Sequence, residues 1–506
     1  MTDHGNGAAS DALAVARLAA LARGEYDRVR RQEAEQLGWR VETLDAEVAK
    51  ARRVAKSCSE EVADRPPEFT DEALALRFTE LHKASLRYVA SWGRWLIWDG
   101  KVWQFDETLR AFDLSRAVCR RASSECNEER VAVAIASAKT VAAVERLAKA
   151  DRHHAATADQ WDADPWLLNT PGGVVDLRTG EIRDHRPDDY MTKITAVAPE
   201  GECPLWRSFL TRITKGDSEL QSFLQRFAGY CLTGVTREHA MAFGYGTGAN
   251  GKGTFLNTLS GLLAGYAAVA PMDAFTASPT DRHATELAML RGARLVTAQE
   301  TEEGRRWAES RIKALTGGDP ISARFMRQDY FTYQPQFKLF VAGNHKPGLR
   351  RVDEAIRRRL NLVPFTVTIP LAERDAGLPD KLKAERPGIL QWMIDGCLEW
   401  QAKGLAPPAA VLVATDNYMQ SEDAISNWIR ERCKRIEYGG TESSRLYADW
   451  CAWSKAAGED PGSQKRFSQA LEDKGYAKDP KARHATFLGI ALDVPPPRTE
   501  PYDDRT

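Results

Sequence analysis

Nine consecutive residues, Gly246-Thr247-Gly248-Ala249-Asn250-Gly251-Lys252-Gly253-Thr254, limit what this chain can fold into more than any other stretch. They lie between an apolar run, Met241-Ala242-Phe243-Gly244, and a run of helical character that begins Phe255-Leu256-Asn257. Strand, glycine-rich turn and helix, in that order, make a cradle for phosphate. Four glycines let the backbone curl so that several N–H groups converge on a polyphosphate, and the helix N-terminus adds partial positive charge. Lys252 would reach the β and γ phosphates. The pattern G-x-x-x-x-G-K is complete, but Gly253 stands where a hydroxyl residue normally touches Mg2+, leaving Thr254 as the hydroxyl for a metal. A glycine-rich turn with an incidental lysine is the bland alternative, and the flanking strand and helix patterns argue against it.

A length of 506 residues exceeds what one hydrophobic core usually serves, so about two to four domains are expected. The formal net charge is only −1, so contact with nucleic acid has to come from a local basic face. Eight cysteines are scattered without a C-x-x-C pair, which argues against a zinc ribbon or a disulfide framework. The start, Met1 to Ser10, is polar, and no apolar run approaches the length that spans a bilayer. These features lead to the expectation of a soluble, cytoplasmic protein with no membrane partner.

Before the loop, residues 1–66 read as a helical arm, with Leu18, Leu21, Val29, Leu37, Leu44 and Val48 at near-helical spacing. Asp64-Arg65-Pro66-Pro67 breaks it, and a small α+β domain is expected over 67–150. Four tryptophans, 92, 95, 98 and 103, fall within a dozen residues, and residues 96–103 read as two strands joined by an Asp-Gly turn. Packing is favoured over base stacking for them. A second hairpin, Trp166 to Glu181, opens a hairpin-plus-helical domain over 151–236.

Past the loop, Ala293 to Glu300 has the form of a buried parallel strand that ends in an acid. Glu300 would polarise an attacking water and help hold a metal. It is preceded by Gln299 rather than a second acid, with Glu302 and Glu303 close by. Phe337 to Ala342 is a further strand, delivering Asn344, and Lys313 to Arg327 reads as a helix end, a glycine-rich turn and a strand with two arginines. Asp380 to Gly404 reads as one amphipathic helix, expected as a lid over the domain 237–405. Over 406–493 the order helix, helix, short hairpin suits a winged helix, with Lys465 and Arg466 on its second helix as DNA-contacting candidates. Residues 494–506 are expected to be disordered.

In combination, Trp166 to Glu181, Thr192-Lys193, Gly229-Tyr230-Cys231-Leu232-Thr233-Gly234 and the motifs after the loop resemble phage and plasmid primase-helicases of the poxvirus type, within helicase superfamily 3. The resemblance covers roughly residues 70 to 400. It implies an α/β P-loop (AAA+-like) ATPase core with a mixed α+β N-terminal region and a C-terminal winged-helix-like domain. ATP and Mg2+ are the implied cofactors. Asn344 is implied to sense the γ-phosphate, and Arg358 and Arg359, followed by Pro364-Phe365, to supply an arginine finger to a neighbour's ATP. Arg324 and Arg327 are implied to grip single-stranded DNA inside a homo-oligomeric ring, a hexamer, with other replication proteins as further partners. Residues 1–68 are too short and too alanine-rich for a primase active site, so priming by this chain is not expected. The competing readings are an ATP-switched loader of replication proteins and an origin-binding initiator whose nucleotide site is structural.

Overall fold

The computed structural model describes residues 14–21, 23–60, 66–277, 285–300, 305–325, 327, 329–349, 352–457 and 461–493, with the backbone alone at Arg23, 52–60 and Glu300. The polar start, the 494–506 tail, Glu302 and Glu303 lie outside the described residues. Two units can be separated: residues up to 95 with 106–156, and residues 96–105 with 157 onward.

In the first unit the arm is a helical hairpin. Arg23–Gln36 and Val41–Glu60 close on a small core of Leu18, Tyr26, Ala34, Leu44 and Val48. Tyr26 donates to Asp45 at 2.8 Å and Arg30 pairs with the same carboxylate at 3.0 Å, so the charges lie on the rim of the hairpin. Beyond it, Thr70 caps Asp71–His82 by accepting from the Ala73 amide at 3.3 Å. Arg110–Glu125, Glu129–Ile135 and Ala138–Ala148 follow as three further helices.

In the second unit, residues 96–98 pair antiparallel with Trp103–Phe105, and Asp99 closes the turn by accepting from the amides of Lys101 and Val102, both at 2.8 Å. Trp103 is buried against Trp161 and Tyr190. That tryptophan packs. Leu167–Thr170, Gly173–Asp176 and Glu181–Arg183 form an antiparallel meander that includes the second expected hairpin.

The elements that position the candidate site run from α1 (Pro204–Ile213) and α2 (Ser218–Tyr230) through β1 (Met241–Tyr245), α3 (Lys252–Leu263), β2 (Ala267–Val269) and β3 (Leu295–Glu300). They continue with α4 (Glu309–Gly317), β4 (Lys338–Gly343), α5 (Glu354–Arg357), β5 (Leu360–Pro364), α6 (Arg386–Lys403) and α7 (Ala409–Glu422). The five strands are all parallel, in the order β5-β1-β4-β3-β2. Apolar runs without alternation suit strands covered on both faces, and all six residues of β4 are buried. One face, through Ala242, Phe340 and Val363, packs on Phe255 and Leu259 of α3 and on α6. The other, through Phe243, Val341 and Leu362, packs on Ile312 and Leu315 of α4 and Tyr418 of α7.

The stretch read as one amphipathic helix from Asp380 to Gly404 is two helices, Leu378–Ala384 and α6, joined at Glu385. Pro387 accounts for the break, because it has no amide to donate and is accommodated only in a helix's first turn. Nor is α6 a one-faced surface helix: Ile389, Leu390, Trp392, Met393, Ile394, Cys397 and Trp400 are all buried. Its closeness to α2 depends on two glycines. A Cβ on Gly229 would collide with the backbone of Gly396 and Cys397, and one on Gly396 with the Gln225 carbonyl. Gly396→Val should therefore cost about 1–3 kcal/mol or more, read as a lowered denaturant midpoint. An unchanged midpoint would show that this contact is looser than described.

Two buried cations clamp the start of the sheet. Arg294, just before β3, donates to the carbonyls of Leu232 at 2.6 Å and Leu167 at 2.8 Å, and lies over the Tyr266 ring. Lys338 opens β4 and points its ammonium at the carbonyls of Thr233, Val235 and Gln336. With no carboxylate paired to it among the described residues, burial pushes its pKa from the ordinary 10.5 down to about 7. Between those two values the unfolded chain binds more protons than the folded one, so stability rises with pH across that window. Lys338→Met should remove this rise, as seen by comparing thermal midpoints of the two proteins from pH 7 to about pH 10. Parallel pH profiles would contradict it.

Candidate functional site

The glycine-rich segment leaves β1 as a loop and enters α3 at Lys252, and its shape is fixed residue by residue. Gly246 has φ 154°, and a Cβ there would strike the Phe365 carbonyl and approach Asn250 Nδ2 at 2.6 Å. Only glycine fits. Gly251, at φ 84°, lies so close to α1 that a Cβ would stand 2.5 Å from Ile213 and 3.1 Å from Phe209. From the other side Asn250 Nδ2 donates to the carbonyls of Phe365 at 3.0 Å and Thr247 at 3.2 Å. The Ile369 amide donates to Ala249 at 2.8 Å, so the chain after β5 holds the outer turn. In the first turn of α3 the Lys252 amide donates to Asn250 Oδ1 at 3.4 Å, and the N-terminus of a helix behind a glycine-rich loop suits an anion.

Lys252 is buried, and its ammonium donates to the Gly246 carbonyl and to Asn344 Oδ1 at 3.3 Å. Two residues singled out separately in the sequence, 92 positions apart, thus touch. Its acceptors are neutral, no carboxylate pairs with it among the described residues, and burial pulls its pKa down. A lysine so placed gains most from an anion, because an opposite charge in a partly desolvated site restores what burial costs the ammonium.

Strand register completes the edge. Glu300 is level with Gly343, and Gly343 with Tyr245, so Glu300, Asn344 and Gly246 emerge together at the C-terminal ends of β3, β4 and β1. That edge is where open parallel sheets bind ligands. Position 253 is not forced to be glycine: a Cβ there meets nothing within 4 Å. The hydroxyl in the first turn of α3 is that of the half-buried Thr254. Among the described residues there is no group of three or more metal-ligating side chains.

The three consecutive arginines have three different surroundings. Arg357 pairs with Asp416 of α7 at 2.7 Å. Arg359 is buried and donates to the Ala355 carbonyl at 2.8 Å, with its pKa lowered by burial and by Arg358. The Arg358 amide donates to the Glu354 carbonyl at 3.1 Å, while its side chain is exposed and makes no hydrogen bond or ion pair among the described residues. Leu360 is in register with Met241, which places Arg358 at the start of β5, the sheet edge opposite the one that carries Gly246. Four residue steps along a strand span about 13 Å, so Arg358 is out of reach of the loop in its own chain.

Arg324 and Arg327 do not lie on a strand as expected. After α4 stops at Gly318, Ile321–Ala323 pairs antiparallel with Phe331–Tyr333, and both arginines occupy the connecting tip, exposed. Chain reversal is the cause, with Arg327 at φ 62°. Arg324 lies over the Tyr330 ring at 4.7 Å and Phe325 stacks on Phe331 at 5.7 Å, so the tip alternates cations and aromatic rings. Sequence reasoning missed Phe325 and Tyr330, although aromatic residues flanking two arginines in a short hairpin were the available signal.

At the C-terminal end, Ala424–Arg432, Cys433–Glu442, Ser443–Ala456, Gln464–Asp473 and Thr486–Leu492 follow in order, the two strands pairing antiparallel. Trp428, Leu446, Trp450, Phe467, Leu471, Phe487 and Ile490 form their core. Lys465 and Arg466 are exposed in the first turn of Gln464–Asp473.

Comparison with known proteins bears out the resemblance read from the sequence. Residues 75–215 match the family model described as D5 N terminal like, and residues 244–359 match a family of unknown function (DUF5906). Three viral proteins carrying the name "Putative helicase" are similar. L207/L206 of Acanthamoeba polyphaga mimivirus is 25% identical over 58% of this chain and 33% of its own length. For 022R of Frog virus 3 (isolate Goorha) the figures are 22%, 47% and 27%, and for 184R of Invertebrate iridescent virus 6 they are 26%, 44% and 24%. The chain thus spans a third or less of the length of these curated relatives. Among solved structures it is similar to the apo NrS-1 C terminal region, with TM-scores of 0.47 and 0.44 at 10% identity, over 82% and 79% of this chain and 100% and 85% of that region. No described helix is long and apolar enough to cross a membrane.

Proposed function

We propose that this chain, which carries the D5 N terminal like domain of primase-helicases, is an ATP-driven DNA helicase of superfamily 3 that acts in viral, phage or plasmid replication. The observation that carries the reading is the meeting of Lys252 with Asn344 beside a loop shaped by glycines at positive φ at the start of α3.

The loop from Gly246 to Thr254 holds the triphosphate by its amides. Lys252 exchanges the Gly246 carbonyl for the β and γ phosphates, and Asn344, released from the lysine, donates its amide to the γ-phosphate or positions water. Glu300, delivered level with Asn344, takes the proton of the attacking water. Thr254 and Glu300 are the residues that would hold Mg2+, which would supply neutralisation of the triphosphate's charge when bound. Arg358 cannot serve its own site and serves the neighbour's, which makes a homo-oligomer, a hexameric ring, the working form. Arg359 supports it from inside. In such a ring Arg324, Arg327, Phe325 and Tyr330 offer single-stranded DNA both phosphate contacts and stacking surfaces.

A second reading, an ATP-switched loader or initiator with little unwinding, is favoured by Gly253 and Gln299, which stand where a hydroxyl residue and a second acid are expected. Strand displacement on a forked duplex separates the two. The helicase reading expects ATP-dependent release of one strand. ATP turnover stimulated by DNA with no strand released would replace it with the loader.

A further inference from the structure

The loop that delivers Asn344 carries a cation two residues further on, Lys346, to which no role has yet been given. Its side chain is exposed, yet the ammonium lies 4.1 Å from the centre of the Tyr245 ring and 5.8 Å from that of Tyr418. Among the described residues it makes no hydrogen bond and no ion pair. Partial desolvation against these rings lowers its pKa from the ordinary 10.5, and the Glu422 carboxylate pulls the other way. Ring faces attract an ammonium but accept no strong hydrogen bond from it, so an anion within reach displaces them.

The strand register puts such an anion close by. Tyr245 ends β1 and immediately precedes Gly246, so the ring beneath Lys346 stands where the glycine-rich loop begins. Gly343 is level with Tyr245, and the next residue, Asn344, touches Lys252. Tyr245 and Tyr418 pack on the sheet face covered by α4 and α7, whereas Lys252 opens α3 on the other face. The two ammoniums thus flank the end of β1 from opposite sides. The backbone that carries Lys346 is fixed: the Tyr418 hydroxyl donates to the Pro347 carbonyl, and the Leu349 amide to Glu422 at 2.8 Å. The Gly348 amide donates to the Arg305 carbonyl at 2.8 Å and the Trp307 amide to the Gly348 carbonyl at 2.9 Å, which ties the loop to the chain that follows Glu300. Only the flexible stem of the lysine is left to move.

We propose that Lys346 binds the γ-phosphate: when a nucleoside triphosphate occupies the loop, the ammonium leaves the Tyr245 ring and donates to a terminal phosphate oxygen, on the side away from Lys252. The inference rests on the nucleotide reading of residues 246–254 and adds a group that distinguishes triphosphate from diphosphate, since ADP has no γ-phosphate to receive it. A second ammonium also meets a need of this chain, because Gly253 and Gln299 stand where a hydroxyl residue and a second acid are expected around the metal. Positive charge from a side chain offsets what those two positions withhold.

The test is equilibrium binding of AMP-PNP, a non-hydrolysable ATP analogue, and of ADP to the full chain with Mg2+, by titration calorimetry. Lys346→Met keeps the stem that packs on Tyr245 and removes the charge. It should weaken AMP-PNP binding at least about tenfold and leave ADP binding within about twofold, and Lys346→Arg, which keeps the charge, should recover most of the loss. The altered residue is exposed, and an unchanged thermal midpoint confirms that each variant is folded. A wild-type ratio of AMP-PNP to ADP affinity in Lys346→Met would overturn the proposal. Equal weakening of both nucleotides would overturn it too, because a lysine that merely supports the strand end has no preference for the γ-phosphate. Wild-type protein that binds neither nucleotide would instead bring down the reading of the loop, and this inference with it, so the two failures are told apart.

Discussion

Lys252→Ala yields a folded protein whose ATP turnover falls by at least about a hundredfold, a loss of about 2.7 kcal/mol in transition-state stabilisation. The size follows from the surroundings. The ammonium is buried, only neutral groups accept from it, and it reaches both the loop and Asn344, so its removal deletes the one fixed positive charge that the described residues place inside the loop. Folding should survive, because the bonds lost are to the Gly246 carbonyl at the loop's mouth and to Asn344, which is exposed. Nucleotide binding should weaken along with turnover, since the ground-state triphosphate also loses its partner. Steady-state hydrolysis, with circular dichroism as the folding control, checks this. Turnover at the wild-type rate would remove the loop from any catalytic role.

Arg358→Ala should lower turnover by about a thousandfold while leaving nucleotide binding nearly intact, because a finger meets charge that develops only in the transition state. Its position makes a sharper statement possible. Arg358 leaves the sheet at the edge opposite Gly246, so it contributes to a neighbour's site or to none. Each inactive variant then keeps one intact half: Arg358→Ala retains Glu300, and Glu300→Gln retains Arg358. Mixed at equal concentration, about a quarter of the shared sites should be whole, and activity should return to about that fraction. Activity that stays at the level of the separate variants would rule out a finger acting between subunits. Arg359→Ala should behave differently. Its side chain is buried and bonded to Ala355, so the expected effect is loss of stability as well as of turnover.

How far the sequence reveals this arrangement depends on how local the cause is. The glycine loop between β1 and α3 was legible because its conformation is dictated within nine residues, by positive φ at Gly246 and Gly251 and by a lysine at the helix start. Asn344 was legible because an apolar run of strand length delivers it. The division of labour among Arg357, Arg358 and Arg359 was not, since it rests on Asp416, 59 residues from Arg357, and on the Ala355 carbonyl. Lys338 reads in sequence as a polar residue near the start of a strand, and only the Thr233, Val235 and Gln336 carbonyls around it show that it is buried. The break before α6 was available in Pro387 and was overridden by the long run of apolar residues on either side. Gly229 and Gly396 set how close α2 and α6 come, and only the contact between the two helices reveals it.

The measurement that bears most directly on the central claim is the rate of ATP hydrolysis by the purified full chain with and without single-stranded DNA, in the presence of Mg2+. Hydrolysis that rises severalfold on adding the strand, and that disappears in Lys252→Ala, is the predicted result. A folded wild-type protein that neither binds nor hydrolyses ATP, with or without DNA, would contradict it.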